Sequence, residues 1–247
     1  MEFENKVVVV TGAASGIGYL TAEKFALDGA KTAMLGPHMD KLQDAAEKIR
    51  ALGGDVYPYE VDVRDYGMLE SAIDDLYSKF GRIDVTVSCA GGASSRVFGR
   101  TESFKDMPID VIDWGIDVNF KGPLYMARAV MKYMTEQKSG VIINIGSITG
   151  QTGGNCIDYS ASKSGVMNGL TKSLALYGAP YGVRCCCVSP GPVLTRPAMA
   201  NMRTPLGRAA EPIEIVNMIL YLASEKAAFI TGTNYLVDGG RACGAKD

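Results

Sequence analysis

One alternation runs the length of this chain and limits what it can fold into. Short Val/Ile/Leu-rich runs lie near 6–10, 31–35, 55–61, 83–89, 140–146, 183–188 and 234–237. Between them come longer helical patterns near 16–28, 39–52, 65–80, 108–136, 157–178 and 211–223. Short, almost wholly apolar runs read as strands buried on both faces. Strands separated by helices join through right-handed crossovers, which cover a parallel sheet on both sides. The expectation is an α/β fold, a doubly wound parallel sheet of about seven strands. Asp40 and Asp65 are the expected helix-start residues, and Pro212 follows Glu211 as a first-turn proline would. Without an internal repeat, low-complexity tract or Pro/Ser-rich linker, 1–247 reads as one domain.

Charge and cysteine usage remove several classes of function. The net charge of -2, from 25 basic and 27 acidic residues, gives no field to hold nucleic acid or an anionic membrane. The first apolar run, Val7 to Val10, is too short for a signal-peptide core or a membrane span. The expected setting is the cytoplasm, with Cys89, Cys156, Cys185, Cys186, Cys187 and Cys243 reduced. Three of these are consecutive in a strand-like run, so their side chains alternate between faces and cannot join one metal site. There is no CxxC pair and His38 is the only histidine, so no metal is expected.

The first strand runs straight into Thr11-Gly-Ala-Ala-Ser-Gly16-Ile17-Gly18, and a helical pattern follows. Gly12, Gly16 and Gly18 allow a tight turn and a close approach of backbone to a pyrophosphate. The helix that starts there offers unpaired N–H groups and the positive end of its dipole. A glycine pattern alone is weak, but in a strand–loop–helix that opens an alternating chain it points to a dinucleotide. No Gly-Lys-Ser/Thr follows, which removes the Walker loop.

The spacing Gly-x-x-x-Gly-x-Gly resembles the cofactor loop of the classical short-chain dehydrogenase/reductase family, and the resemblance extends over essentially the whole chain. It implies a Rossmann-like fold and a nicotinamide cofactor held by Gly12, Ser15, Gly16, Ile17 and Gly18. Asp62 and Val63 match the position that touches adenine in the family. Cys89-Ala90-Gly91 matches the Asn-Ala-Gly turn after the fourth strand, with Ser88-Cys89 standing where the family usually has Asn-Asn. Pro190-Gly191-Pro192-Val193-Leu194-Thr195 matches the segment that holds the carboxamide. The Thr231 to Gly240 segment resembles the family's last strand, and homodimers or homotetramers are the implied assemblies.

Tyr159 and Lys163 are four residues apart, so on a helix they share one face. Reducing a ketone by hydride requires a proton for the developing alkoxide, and oxidising an alcohol requires a base. A free tyrosine, with a pKa of about 10, is a poor base at neutral pH, and a nearby ammonium favours its phenolate. Ser147, at a strand end in Gly146-Ser147-Ile148, is placed to hydrogen-bond the same substrate oxygen. The resemblance implies that Asn119 holds a water in a proton path and that Lys163 also binds the nicotinamide ribose. The absence of a nucleophile elbow at Ser147, and a sole histidine that lies near the second strand, argue against serine-hydrolase chemistry.

After the second strand come Gly36, Pro37, His38 and, further on, Lys41. The acid that NAD-preferring relatives place here is absent, and so is the arginine of NADP-preferring ones, while Ser15 carries no charge. The missing carboxylate tilts the reading from NAD towards NADP. The segment from Gly92 to about Pro108 is long for the family, and the lid between Thr195 and Pro205 is short. That suggests an open pocket for a bulky small-molecule substrate, with Arg96, Arg100 and Lys105 favouring an acidic substrate or simply facing solvent. Trp114 and the Met126 to Met134 stretch read as core, with a subunit interface as the alternative. A 3-oxoacyl reductase-like enzyme and a hydroxysteroid or bile-acid dehydrogenase-like enzyme both remain open, as does oxidation of sugar alcohols. The competing classes are a silent NAD(P)-binding sensor or scaffold, and a dehydratase or epimerase, for which the chain ends early.

Overall fold

The computed structural model describes residues 1–244. Among these, β1 (Val7–Thr11), β2 (Lys31–Gly36), β3 (Val56–Glu60), β4 (Val85–Ser88), β5 (Gly140–Ile145), β6 (Val183–Pro190) and β7 (Asn234–Val237) form one sheet. Its order is β3-β2-β1-β4-β5-β6-β7. Every pairing is parallel. The winding direction reverses between β1 and β4, which opens a crevice beyond their carboxyl ends.

The helices that cover the sheet are α1 (Gly16–Leu27), α2 (Met39–Ala51), α3 (Tyr66–Phe80), α4 (Ser94–Val97), α5 (Ile109–Ile116), α6 (Gly122–Gln137), α7 (Thr149–Thr152), α8 (Ile157–Gly165), α9 (Thr171–Gly178) and α10 (Pro212–Ala223). Alternate strand residues feed opposite layers. Val8 and Val10 pack with Phe25, Leu42, Ile49 and Ile219. Val9 packs with Leu69, Ile73, Met126 and Met134 on the other side. Each side chain so buried contributes about 1.5–3 kcal/mol, which is why both faces of nearly every strand are apolar. The three consecutive cysteines obey the same alternation, Cys185 in one layer, Cys186 in the other and Cys187 against Val166, Met167 and Leu170.

Two of the expected helix starts are as read. Asp65 caps α3 by accepting from the Met68 amide at 3.1 Å. Pro212 opens α10 behind a reciprocal capping box of Glu211 and Glu214. Asp40 is a correction: His38 holds the cap position of α2, and Asp40 sits inside the first turn, where its charge faces the positive helix end. The methionines at 126, 131 and 134 are buried core, and Trp114 is half-buried edge-on to Phe98 with ring centroids 5.3 Å apart. Both long helical patterns are interrupted by a π turn, Asp117–Lys121 between α5 and α6 and Val166–Leu170 between α8 and α9.

Candidate active site

The glycine turn has the shape its sequence implies. Gly12 and Gly16 take φ values of 64° and 58°, a region that costs other residues energy. A Cβ on Gly12 would stand 2.9 Å from the Ala90 Cα, and one on Gly18 would run into the Gly12 carbonyl. The loops after β1 and β4 thus interlock, and the Ala90 amide donates to the Thr11 hydroxyl at 3.0 Å. At the head of α1, Ser15 is extended and gives no side-chain cap, and the first turn holds no acid. Its leading N–H groups remain available to an anion. This cradle fits a dinucleotide pyrophosphate.

From there a cavity of about 740 Å³ opens over the carboxyl ends of the central strands. Ile17, Cys89 and Gly91 border it on one side, Pro190, Gly191, Val193 and Thr195 on another, and Ser147, Tyr159 and Lys163 between them. Ser15 instead lines a second cavity of about 380 Å³ beside α2, together with Lys41 and Lys48. His38 is exposed and borders neither cavity. Asp62 and Val63 are not brought to the main cavity. The Asp62 carboxylate is gripped by the Arg64 guanidinium, which holds it below its usual range, and Val63 packs towards Gly122.

Tyr159 and Lys163 lie one turn apart on α8, as the spacing requires, with the ammonium 5.7 Å from the centre of the phenol ring. The Lys163 Nζ donates to the Ile145 carbonyl at 2.7 Å, and burial lowers its pKa to about 8. Burial also raises the Tyr159 phenol, while the Ser147 hydroxyl and the charge of Arg96 pull it back down. One of the three ammonium protons is thus given to a backbone carbonyl. The groups opposing burial at the phenol are Ser147 and arginine. Ser147 exchanges a hydrogen bond with the Thr149 hydroxyl at 3.1 Å and accepts from the Thr149 amide at 3.3 Å, which fixes its side chain at the cavity wall.

Asn119 sits in the π turn between α5 and α6 and is fully buried. Both protons of its amide are spent, on the carbonyls of Gly92 at 2.9 Å and Gly115 at 2.8 Å, and its oxygen accepts from the Gly92 amide at 3.0 Å. No donor is left for water. Its side chain clamps the loop after β4, and a water beside it would be held through acceptor oxygens and not through the amide protons. A Cβ on Gly91 would lie 2.5 Å from the Asn119 Oδ1 and 3.4 Å from the Lys163 Nζ, so the glycine lets clamp and ammonium meet. The Cys89 thiol, half-buried beside this group, is pushed up to about 12 by desolvation and stays neutral.

The family comparisons agree with this geometry. Residues 12–242 match the family model described as enoyl-(acyl carrier protein) reductase. The chain is 32% identical to a short-chain type dehydrogenase/reductase from Mycobacterium marinum, with a TM-score of 0.90 and 98% of each chain covered. This chain is a short-chain dehydrogenase/reductase. As a member of that family it is an NAD(P)-dependent oxidoreductase. It is 35% identical to a 3-oxoacyl-(acyl-carrier-protein) reductase of Thermotoga maritima, over 97% of this chain and 99% of the relative. To a 7alpha-hydroxysteroid dehydrogenase of Bacteroides fragilis it is 33% identical, over 96% and 95%. A 3-oxoacyl-(acyl-carrier protein) reductase from Brucella melitensis with bound NAD superposes with a TM-score of 0.90 at 31% identity, covering 98% of this chain and 92% of that one.

Some cavity residues carried no prior signal. Arg196 follows the expected Pro-Gly segment but belongs to no motif, and Cys156 lies outside the Tyr-x-x-x-Lys pattern. Both line the main cavity, with Arg96 from the long loop. Of the other basic residues there, Arg100 pairs with Glu102 at 3.0 Å on the surface, and neither it nor Lys105 borders the cavity.

Proposed function

We propose that this short-chain dehydrogenase/reductase moves hydride between a nicotinamide and the carbon of a secondary alcohol or ketone, with Tyr159 as the acid and base. The cofactor, when bound, supplies or accepts the hydride. In reduction the Tyr159 phenol donates its proton to the developing alkoxide, and the Ser147 hydroxyl hydrogen-bonds the same oxygen. Lys163, one turn on, exchanges its backbone carbonyl for the cofactor ribose and favours the phenolate when the reaction runs towards oxidation. Asn119 positions the site through Gly92. The observation that carries this reading is the convergence of Ser147, Tyr159 and Lys163 on one cavity that also borders the cofactor turn.

NADP is the preferred cofactor on this reading. Lys41 and Lys48 flank Ser15 in the second cavity, where the 2′-phosphate of an adenosine ribose would find positive charge, though Asp44 lines it too. No carboxylate stands at Gly36 or Pro37 to repel it. Gly12, Ser15, Gly16, Ile17, Gly18, Cys89, Ala90, Gly91, Pro190, Gly191, Val193 and Thr195 form the cofactor groove, and Asp62 and Val63 its adenine end. Residues 1–247 act as one domain, in a cytoplasmic homodimer or homotetramer. Among the described residues no helix is long and apolar enough to cross a membrane. Substrates resembling 3-oxoacyl thioesters or hydroxysteroids fit an open cavity with Ile148, Met199 and Met202 on its wall. A fluorescence titration with NADH and NADPH tests the cofactor assignment: tighter binding of NADPH is expected. Failure of the folded protein to bind either would remove the whole reading.

A further inference from the structure

The main cavity is lined by Arg96, Arg196 and Arg241, and by no aspartate or glutamate. That imbalance is local, because the chain as a whole is slightly acidic. Arg241 has a partner in the Arg203 carbonyl, to which it donates at 3.1 Å. Arg96 and Arg196 have none: among the described residues neither side chain takes part in a hydrogen bond or an ion pair.

Position separates Arg96 from the phosphate cradle. It projects from α4 in the loop after β4, and a Cβ built on Gly92 would lie 2.6 Å from its terminal nitrogen. A glycine at 92 is what lets the guanidinium lie down against the loop that Asn119 clamps. There it stands on the Tyr159 and Cys156 side of the cavity, close enough for its charge to act on the phenol. Arg196, next to Thr195, lines the same cavity. Partial desolvation, together with repulsion from Arg196, lowers the Arg96 guanidinium below its ordinary value. Two uncompensated cations held near each other are unfavourable until an anion lies between them, and a planar fork is suited to a carboxylate.

We infer that Arg96, with Arg196 in the same cavity, forms a receptor for a carboxylate on the substrate, so that this enzyme prefers alcohols and ketones that also carry a carboxylate group. The inference rests on the hydride-transfer reading and adds the substrate's second functional group. A salt-sensitive preference for acid over ester is its kinetic signature, since both arginines are exposed to the solvent at the cavity mouth.

The test compares 4-oxopentanoate, 4-oxocyclohexanecarboxylate and 4-acetylbenzoate with their methyl esters as substrates for the NADPH-loaded enzyme. Wild type is expected to favour at least one acid over its ester by about tenfold or more in kcat/KM. Arg96→Gln is expected to abolish that preference mainly through a raised KM for the acids, with NADPH affinity unchanged, and Arg96→Lys to retain part of it. Equal use of acids and esters by wild type, or a preference that survives Arg96→Gln, would overturn the receptor. Calorimetry with cyclohexanecarboxylate and its uncharged amide decides the matter independently of turnover. Saturable binding of the carboxylate alone, weakened about tenfold in Arg96→Gln, supports the receptor even if no ketone is reduced, a result that would instead remove the hydride-transfer reading. Binding of neither compound, together with no acid preference, overturns the receptor.

Discussion

Lys163 shows how much of this site is set by one buried charge. Its pKa of about 8 in the folded chain stands against 10.5 for the ordinary group. The unfolded chain therefore binds more protons between these two values, and stability rises with pH across that window. Below about pH 8 the full penalty of a buried ammonium is present. Lys163→Met removes it, so the cofactor-free variant should exceed wild type in stability at pH 7, by a margin on the order of 3 kcal/mol that shrinks as pH approaches 10. Urea midpoints at pH 7, 8.5 and 10 measure this, and a margin independent of pH would contradict it. At this scale the sequence was informative about identity and less so about contacts. Tyr159, Lys163 and Ser147 were legible because their chemistry demands those residue types at those spacings. That a Lys163 proton goes to the Ile145 carbonyl, or that Asn119 has no donor left, depends on backbone groups that no side-chain pattern encodes.

Elements bring these residues together through close helix crossings. α5 meets α8 at Gly115, where a Cβ would collide with the Asp158 carboxylate, the neighbour of Tyr159. Asp158 is buried, and its Oδ1 accepts from the Cys156 thiol at 3.2 Å. Only a glycine lets the two helices approach so closely, and the π turn that follows swings Asn119 onto Gly92. Gly115→Ala should therefore cost about 1–3 kcal/mol by overpacking, and it should lower kcat by displacing Tyr159. Denaturant unfolding and steady-state rates measured side by side check this; a variant with unchanged stability and kcat would show that the crossing is not tight. The strands and the helical stretches were readable from apolar runs and 3.6-residue periodicity. The π turns were not, because one extra residue in a turn shifts the register without altering composition. Asp40 illustrates a smaller ambiguity, since an acid in the first turn and an acid at the cap look alike in sequence.

For the whole molecule, a reversal of strand order between β1 and β4 creates a single crevice, and two separate demands are met along it. One end offers uncapped helix amides and glycines without room for side chains, suited to an anionic cofactor. The other offers a phenol, a hydroxyl and a buried ammonium, suited to moving one proton as hydride crosses. The fold was legible because the strand–helix alternation admits few topologies. Which charges line the substrate end was only partly so. Arg96 and Arg100 come from the same loop and differ in sequence by nothing that says one will face the cavity and the other Glu102. Because the two ends are distinct, binding and chemistry should separate in one variant. The most direct measurement is the ketone-reduction rate and NADPH dissociation constant of Tyr159→Phe beside wild type. The predicted result is an unchanged dissociation constant with turnover lowered about 10²–10⁴-fold. Turnover equal to wild type, with NADPH bound as before, would contradict the assignment of Tyr159 as the acid and base.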